Sequence, residues 1–336
     1  MSTSQRPLAT IVIVNHNGGN LVNDCVRSVL RFTRNYELLI VDNASVDGSW
    51  EELGRQFPNV RIIRNRINLG FAAANNIGIR ESRGEYVVLM NPDVTLTNDW
   101  LEKLSECVEK DPIIGIATPK LLRYDGRIDS TGHVFSFSRL EVKNRGEEEQ
   151  DDGQYDSCTD LLSCDFACCL IRREAITRIG LLDERIFLDH EDVDYCLRAR
   201  IAGWRVVYCP SCRVYHRRGG VTSSLQKRSR QLQARRNMLR LALKNYGRRS
   251  LVLVIVYKQK DLLSFSMDIA GGLKKHNLVA MKNGLDDICA LLTAFLWNTI
   301  HLPIRERILV QRSRLLNDKE LELISRSSTL RGSGYT

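Results

Sequence analysis

Residues 84–94 read GEYVVLMNPDV, and this stretch decides the fold class. Its apolar part, residues 86–90, is rich in β-formers and predicts a buried strand. Pro92 cannot donate to a ladder, so the strand should end there and present Asn91 and Asp93 at its carboxyl edge. Ligands of open α/β sheets bind at that edge, and a carboxylate there suits a divalent cation that also binds a diphosphate. For the tripeptide alone, a turn capped by Asn and Asp is the ordinary alternative.

The segments before residue 84 repeat the same arrangement. Strands are predicted at residues 10–14, 37–41 and 61–64 and a helix at 21–32, and polar or glycine-containing segments follow the strands at 15–19, 42–48 and 68–76. Alternating strand and helix patterns predict an α/β fold with a mostly parallel, Rossmann-like sheet flanked by helices. The polar segments would then form one rim along the carboxyl edge of the sheet.

Together these segments resemble the family 2 glycosyltransferases of the GT-A fold. The matching pieces, in the family's order, are IVIVNHN (11–17), LLIVDNASVDGS (38–49), NLGFAAANNIG (68–78), GEYVVLMNPDV (84–94), FLDHEDVDYCLRARIAGW (187–204) and His216. They cover roughly residues 8–220, about two-thirds of the chain. The resemblance implies a GT-A catalytic domain at 1–225 and a C-terminal helical extension at 226–336. Within the catalytic domain it implies a nucleotide-sugar half at about 8–120 and an acceptor half at about 121–225.

The resemblance also implies a donor site for a nucleotide-diphosphate sugar. Asp42 matches the acid that accepts from the imino N–H of the base, which implies a uridine or thymidine diphosphate sugar. Asn15 and Asn68 match positions that line the base and the ribose, and Gly70 allows close backbone approach. Among family members with this Asn-Pro-Asp layout, dTDP-rhamnose is the first donor expected, and N-acetylglucosamine or another hexose is the second.

Mg²⁺ or Mn²⁺ is the cofactor that the resemblance implies, because a divalent cation can stabilise the leaving diphosphate. Asp93 and His216 match the family's metal ligands, and the imidazole would favour Mn²⁺. Asn91 stands where the family has the first carboxylate of its Asp-x-Asp motif. Its amide can still bind a metal or the ribose but brings no charge, so we expect a lower metal affinity.

Residues 188–194 read LDHEDVD, which places four carboxylates within six positions, beside a helix predicted from Asp192 to Ala202. Capping of the helix N-terminus accounts for one of these acids. The resemblance assigns the general base to Asp192, with Glu191 as the fallback or as a partner that binds an acceptor hydroxyl. One base opposite the leaving group implies single displacement with inversion.

Acceptor contacts are expected from Asp165, which matches the region of the family that faces the acceptor, and from Asp194. For Trp204 two alternatives remain open, a core position or a platform that stacks on the acceptor. Because many relatives elongate lipid-linked glycans, the resemblance implies a glycan or a polyprenyl-phosphate-linked glycan as the acceptor.

The formal net charge of +9 is unevenly placed, since residues 195–260 contain seventeen Lys or Arg and no Asp or Glu. Such a stretch predicts an anionic partner. A basic amphipathic helix is predicted at 229–246, and the apolar runs 251–257 and 288–302 are too short to span a membrane. We expect these segments to lie on an anionic membrane surface. An ordinary helical cap on the catalytic domain is the alternative.

Residues 1–9 are polar and show no secretory signal. Cys168, Cys169 and Cys209 lie in or beside apolar runs, so they are expected to be buried free thiols in a reducing compartment. These observations predict a cytoplasmic protein that is peripheral on the cytoplasmic face of the cell membrane.

Two other functional classes fit the sequence less well. A nucleic-acid binder would interleave aromatic and basic residues, yet between Gln226 and Arg249 only Tyr246 is aromatic. A dehydrogenase or nucleotidyltransferase would need a G-x-G-x-x-G turn or a phosphate-binding lysine after a strand, and the sequence has neither. Non-catalytic binding of an anionic polymer is kept as the alternative, and no nucleic-acid partner is expected.

Overall fold

The computed structural model describes residues 6–157, 159–217, 227–274 and 278–328. In chain order its elements are β1 (Ala9–Asn15), α1 (Gly19–Phe32), β2 (Tyr36–Asp42), α2 (Ser49–Gln56), β3 (Arg61–Arg64), α3 (Phe71–Glu81), β4 (Tyr86–Met90), β5 (Val94–Thr95), α4 (Trp100–Glu109), β6 (Ile114–Leu122), β7 (Ile128–Ser130), β8 (His133–Ser136), β9 (Glu141–Asn144), β10 (Asp160–Leu161), β11 (Cys168–Arg172), α5 (Arg173–Ile179), α6 (Glu191–Ile201), β12 (Arg205–His216), α7 (Lys227–Asn245), α8 (Arg248–Lys274), α9 (Leu278–Ile300), α10 (Ile304–Arg312) and α11 (Asp318–Ser327). The strands predicted at 61–64 and 86–90 are confirmed, and those at 10–14 and 37–41 are one residue longer at each end.

The main sheet has the strand order β10-β12-β6-β11-β4-β1-β2-β3, with β5 beside β12 and β7 beside β6. The pairs β1–β2, β1–β4, β2–β3 and β6–β12 are parallel, which confirms the predicted mostly parallel α/β sheet. Strand β11 is antiparallel to both of its neighbours, β4 and β6. The sequence did not show this reversal, because an apolar run carries no information about strand direction.

The strand registers bring together the polar residues that follow the carboxyl ends of the strands. Asn15 and Asp42 are directly paired at the carboxyl ends of β1 and β2, and β4 lies on the other side of β1. Strand β5 pairs with the end of β12 and sets Val94 opposite His216. The exits of four strands therefore meet at one edge of the sheet, with Asp93 in the turn that follows β4.

Strand β12 is continuous from Arg205 to His216. Its register against β6 shifts between Cys209 and Arg213, where an irregularity accommodates Pro210 and Ser211 within the strand. Cys209 forms a disulfide with Cys107 of α4. The expectation that Cys209 is a free thiol was therefore wrong, whereas Cys168 and Cys169 are buried and free as predicted.

The predicted boundary between residues 225 and 226 does not coincide with a boundary in packing. One hydrophobic cluster joins Phe137, Val193 and Leu197 to Met238 and Leu241 of α7. Helix α7 thus buries its apolar side chains against α6 and the β8–β9 hairpin. It therefore shares one hydrophobic core with these elements, which precede residue 225.

About half of the positive charge of residues 195–260 is matched inside the chain. Nine of its seventeen basic side chains form ion pairs with carboxylates of the described residues, namely Arg198, Arg200, Arg205, Arg213, Arg230, Arg235, Arg240, Lys244 and Lys258. Arg240 and Lys244 are buried. The charge pattern alone therefore does not require an external anion, because local charge counts do not show which distant carboxylates fold against the stretch. An anionic partner stays a prediction.

Among the described helices, none taken singly combines the length and the apolar composition that a membrane span requires. The segments Leu285–Ile300 and Ile304–Arg312 satisfy both criteria only as a pair, and the chain bends by 79° between them.

Candidate active site

A cavity of about 810 Å³ opens at the carboxyl edge of β1, β2 and β4. Its walls come from the strand exits, the β8–β9 hairpin, the N-terminal end of α6 and the beginning of α7. Eight of the predicted site residues line it, namely Asn68, Gly70, Asn91, Asp93, Asp165, Glu191, Asp192 and His216. The structure therefore brings the donor, metal and base candidates to one place.

Asp93 and His216 lie side by side because β5 pairs with the end of β12. His216 Nε2 is 3.2 Å from Asp93 Oδ1, and His216 Nδ1 is 2.8 Å from Asp129 Oδ2. All three residues are buried. Burial alone would lower the pKa of His216, but the hydrogen bonds with Asp129 and Asp93 outweigh it and raise the pKa to about 10.

These residues fit the divalent cation that was predicted. Metal-binding histidines usually have one ring nitrogen held by a carboxylate, which orients the other nitrogen toward the metal. Asp129 holds His216 in this way, and Nε2 faces Asp93. Within the part of the chain that the structure describes, no group of three or more His, Cys, Asp or Glu is suited to a metal. With Asp93 and His216 as protein ligands, the rest of the coordination shell would be open to diphosphate oxygens and water.

Glu191 and Asp192 begin α6 and line the cavity. The Asp192 side chain is 16% exposed, whereas Glu191 is buried and its Oε2 has no hydrogen-bond partner among the described residues. Burial, opposed by the Val193 N–H and reinforced by the charge of Asp189, raises the pKa of Asp192 to about 7. Burial and the charge of Asp192 also raise the pKa of Glu191. A carboxyl group with a pKa near 7 is suited to take a proton at neutral pH.

His133 and Asp165 complete this side of the cavity, and sequence reasoning missed His133. His133 Nε2 is 3.9 Å from Asp192 Oδ2, and its Nδ1 is 3.1 Å from Ser163 Oγ. Burial and the charge of Asp192 raise the pKa of Asp165. His133 and Asp129 both come from the stretch IDSTGH, residues 128–133. The close pairing of an acid and a histidine there was a signal, but the stretch lies outside every segment that carried the resemblance.

The backbone that leads into α6 has an unusual conformation. Asp189 and His190 have φ angles of 67° and 72°, in the left-handed region that non-glycine residues seldom adopt. Such residues cluster at functional sites, where the surrounding structure holds them. Gly70 borders the same segment with φ +83°, and a Cβ at Gly70 would lie 2.5 Å from the Phe187 carbonyl oxygen. The Phe71 N–H donates to that oxygen at 2.7 Å, so the glycine lets this segment dock on the sheet edge.

One side of the cavity has a rim of amide side chains, which includes Asn43, Asn68 and Asn91. Asn43, which was not predicted, donates from Nδ2 to Asn68 Oδ1 at 2.8 Å. The Asn43 carbonyl oxygen is 2.9 Å from His16 Nδ1. These contacts connect the exits of β1 and β2 with the loop after β3. Asn43 could have been found from the sequence, since it directly follows Asp42 in a matching segment.

Asn15 and Asp42 are fully buried and do not line the cavity. Asn15 Nδ2 donates to Asp42 Oδ1 at 3.0 Å and to the hydroxyls of Ser45 and Ser49. The Ser45 N–H donates to Asp42 Oδ2 at 3.3 Å. The structure therefore places these two residues behind the rim, where they join the first two loops.

Asp194 was predicted to contact the acceptor, and for Trp204 an acceptor platform was one of two alternatives. Both residues lie outside the cavity. Asp194 is fully buried, and its carboxylate binds Arg198 at 3.0 Å and Lys244 at 2.8 Å. Two residues after Asp192 on a helix, it faces a different side. Trp204 is 5% exposed and belongs to the hydrophobic core against Gly115, so the core alternative is correct.

Comparison with known sequences gives a family match over half of the chain. The profile of Glycosyl transferase family 2 matches residues 10–180. An N-acetylglucosaminyl-diphospho-decaprenol L-rhamnosyltransferase of Mycobacterium tuberculosis is 28% identical over 225 residues, which cover 56% of this chain and 69% of that protein. An uncharacterized protein of Sinorhizobium fredii is 30% identical over 237 residues, 62% of this chain and 24% of its own length. The chain thus spans about a quarter of that relative.

Solved structures share the fold at lower identity. GalNAc-T7, solved with UDP, GalNAc and Mn²⁺, has a TM-score of 0.55 at 17% identity, over 71% of this chain and 49% of its own. The mannosyltransferase PcManGT from Pyrobaculum calidifontis, in complex with GDP-Man and Mn²⁺, has a TM-score of 0.51 at 14% identity, over 97% of this chain and 88% of its own. These likenesses show the GT-A fold, and the profile match shows that this chain belongs to glycosyl transferase family 2.

Proposed function

We propose that the protein is an inverting glycosyltransferase that moves a sugar from a UDP- or dTDP-sugar to a hydroxyl of a glycan or lipid-linked glycan. The observation that carries the proposal is that one cavity contains both the Asp93–His216 pair and the Glu191–Asp192 pair. A donor diphosphate bound at the first pair would direct its sugar toward the second pair. An acceptor hydroxyl between the sugar and Asp192 would then be placed for attack.

Asp192 is the general base in this proposal. As the acceptor oxygen bonds to the anomeric carbon, its proton passes to the Asp192 carboxylate and the bond from that carbon to the diphosphate breaks. Attack from the face opposite the leaving group inverts the anomeric configuration. Glu191 is more buried than Asp192 and remains the fallback for the same role.

Asp93 and His216 would hold the divalent cation, which when bound would stabilise negative charge on the departing diphosphate. Asn91 lines the same cavity and offers an amide oxygen to the cation or to the ribose. Solved neighbours that contain Mn²⁺ and a nucleotide or nucleotide sugar support this assignment.

The mycobacterial relative supports a choice of substrates. Its name states that it transfers L-rhamnose to N-acetylglucosaminyl-diphospho-decaprenol. We therefore place dTDP-rhamnose first among donors and a polyprenyl-linked glycan first among acceptors, with N-acetylglucosamine or another hexose as the second donor sugar.

The C-terminal helices support a peripheral position on the cytoplasmic face of the membrane. Helices α8 and α9 expose a row of large apolar side chains that includes Leu263, Met267, Leu292 and Leu296, each more than half exposed. Exposed apolar surface of this extent is typical of a site that binds a partner or a membrane. On an anionic leaflet this surface would hold the cavity close to a lipid-linked acceptor.

Thermal unfolding with a panel of nucleotides tests the donor site. We expect UDP or dTDP to raise the melting temperature more than GDP or ADP, and more with Mn²⁺ than with chelator. Transfer from dTDP-rhamnose and UDP-N-acetylglucosamine to a polyprenyl-diphosphate-linked N-acetylglucosamine then tests the reaction, with NMR of the product's anomeric centre. A purine preference or a retained anomeric configuration would overturn the proposal.

A further inference from the structure

Helix α7 contacts the acidic segment, defined here as residues 183–194, at both of its ends and in its middle. This segment contains Glu191 and Asp192 and both left-handed residues. Arg240 and Lys244 bind the Asp183 carboxylate at the start of the segment. In the middle, Asn237 binds the carbonyls of Leu188 and Asp189, and Arg230 binds the Asp189 carboxylate. At the end, Lys244 and Asn245 bind the Asp194 carboxylate. Each of these binding residues belongs to α7.

Asn237 makes the central contact. It is fully buried, and its Nδ2 donates to the Leu188 carbonyl at 2.8 Å and to the Asp189 carbonyl at 2.9 Å. These two carbonyls flank the first left-handed residue and precede the second, His190. Both amide hydrogens of Asn237 are therefore committed to the strained turn that precedes Glu191. A buried donor pair of this kind is costly to remove, because the carbonyls are left without partners.

Ion pairs hold the two ends of the acidic segment. Lys244 Nζ is 2.6 Å from Asp183 Oδ2 and 2.8 Å from the Asp194 carboxylate. Both carboxylates are buried, and Arg240 and Arg198 supply further positive charge to them. Breaking a buried pair leaves an uncompensated charge, so these contacts fix where the segment begins and where α6 takes over.

The contact residues lie on one face of α7. The positions 230, 237, 240 and 244 are separated by seven, three and four residues, which is the spacing of a single helical face. The basic residues on this face of α7 thus pair with carboxylates of the acidic segment in the same chain. Because these basic side chains are already paired, their charge is not available to an external partner.

We propose that Asn237 is a positioning residue that holds the turn at Asp189 and His190 and thereby directs Glu191 and Asp192 into the cavity. That Asn237 holds the turn does not depend on the proposed function. Only the expected effect on rate rests on the proposed function, in which Glu191 and Asp192 take part in sugar transfer. A displacement of about 1 Å in a reacting group can cost about 10²-fold in rate. Asn237 does not line the cavity itself. It contacts the backbone of Leu188 and Asp189, so its effect on Glu191 and Asp192 passes through the backbone of the acidic segment.

Replacing Asn237 by Asp tests the proposal with almost no change in shape. The substitution turns the shared donor into an oxygen that faces two carbonyl oxygens. Asn298→Asp is the matched control, because Asn298 is equally buried and donates to the Arg236 and Ala294 carbonyls without contacting the acidic segment. Both variants are compared with the full-length protein by hydrogen exchange, melting temperature and sugar transfer.

For Asn237→Asp we expect amides of residues 186–193 to exchange about 10-fold faster or more, with the sheet unchanged. We expect kcat to fall by about 10²-fold, whereas nucleotide affinity stays within about 2-fold. Asn298→Asp should lower the melting temperature without accelerating exchange in that segment. Equal exchange in the two variants would overturn the proposal. If Asn237→Asp accelerates exchange but the native protein transfers no sugar, the positioning role of Asn237 is supported and the proposed function is refuted.

Arg230→Gln provides a second variant that should fold normally, because Arg230 is 46% exposed and its pair with Asp189 lies at the surface. We expect faster exchange at residues 188–190 and an unchanged melting temperature. Unchanged exchange in both Arg230→Gln and Asn237→Asp would show that α7 does not hold the segment.

Discussion

Asn91 is the residue at which this chain departs from the metal motif that it otherwise resembles. It lines the same cavity as Asp93 and His216 but adds no charge to a cation there. The cation would therefore meet one carboxylate and one imidazole from the chain, with Asp129 acting through the imidazole. A site with few charged ligands binds its cation less tightly.

Asn91→Asp should therefore tighten Mn²⁺ binding, whereas Asp93→Ala should abolish it together with transfer. We expect the Asp to improve Mn²⁺ affinity by about 10-fold, because it adds a charged oxygen at the cavity wall. Titrating Mn²⁺ in the presence of UDP, by calorimetry or melting temperature, measures this directly. Glu106→Gln, on the exposed side of α4, is the control and should leave the titration unchanged. Full activity of Asp93→Ala in chelator would refute the metal role.

Asp192→Asn should lower kcat by about 10²-fold or more and leave donor affinity nearly unchanged. In the proposed mechanism Asp192 acts as a carboxylate base. Its pKa is raised to about 7, so protonation should remove activity as the pH falls through 7. Native kcat should therefore decline on the acid side of pH 7, and the variant should lack this limb. A pH profile from 5 to 9 with saturating donor checks both points. If Glu191→Gln costs more than Asp192→Asn, the base is Glu191.

Residue types and their order in the sequence were sufficient to find Asp93, Asp165, Glu191, Asp192 and His216, because each lies in or near a recognisable segment or at a strand exit. They were not sufficient for His133 or Asp129, which reach the site from β7 and β8 through tertiary folding. Asp194 was misassigned because a cluster of acids does not reveal which member faces the cavity. Only the helix phase and the buried Lys244 decide that.

Among the elements, the acidic segment depends on the two surfaces between which it lies. Helix α7 holds it from one side, and the start of α3 approaches it from the other through Gly70 and Phe71. The alternation of strands and helices was predictable from apolar periodicity alone. The antiparallel β11 and the docking of α7 were not predictable, since both depend on long-range pairing that leaves no local pattern.

Gly70→Ala should destabilise the protein more than Gly126→Ala does, because Gly70 combines a backbone conformation that only glycine readily adopts, φ +83° and ψ 173°, with a close contact to Phe187. Gly70 and Gly126 have nearly the same φ, +83° and +85°, but a Cβ at Gly70 meets the Phe187 oxygen at 2.5 Å and a Cβ at Gly126 meets nothing within 4 Å. Gly126→Ala should cost about 1–2 kcal/mol from the left-handed conformation. We expect Gly70→Ala to cost more and to reduce transfer, as measured by denaturant unfolding and kcat. Equal losses in the two variants would show that the contact with Phe187 is unimportant.

At the scale of the whole molecule, exposed apolar side chains, and not the basic residues of α7, are the main candidates for membrane contact. Arg240 and Lys244 are buried in ion pairs, so they do not face a lipid headgroup. Helices α8 and α9 expose Leu292 and Leu296 instead. Basic residues near these helices would add about 1 kcal/mol each at an anionic surface.

Replacing Leu292 and Leu296 by Gln should reduce flotation with acidic liposomes of phosphatidylglycerol and phosphatidylcholine at low salt. The two side chains are 55% and 64% exposed, so the change should not affect folding. Leu30→Gln with Ile113→Gln is the matched control, since these residues are 47% and 50% exposed on other surfaces. We expect the control pair to float like the native protein. Equal flotation of both pairs, or none for the native protein, would rule out the α8–α9 surface.

The contacts of α7 with the acidic segment also impose an order on biosynthesis. Strands β1 to β12 end at His216 and leave the ribosome before α7 does. The sheet can therefore form on the nascent chain, since the N-terminal part of a protein folds first. Until α7 follows, the turn before α6 has no Asn237, and Asp183 and Asp194 have no Lys244 to neutralise them. If α7 holds the acidic segment as proposed, the cavity rim at the sheet edge would form first, and Glu191 and Asp192 would be directed into the cavity only after residue 245 has been translated.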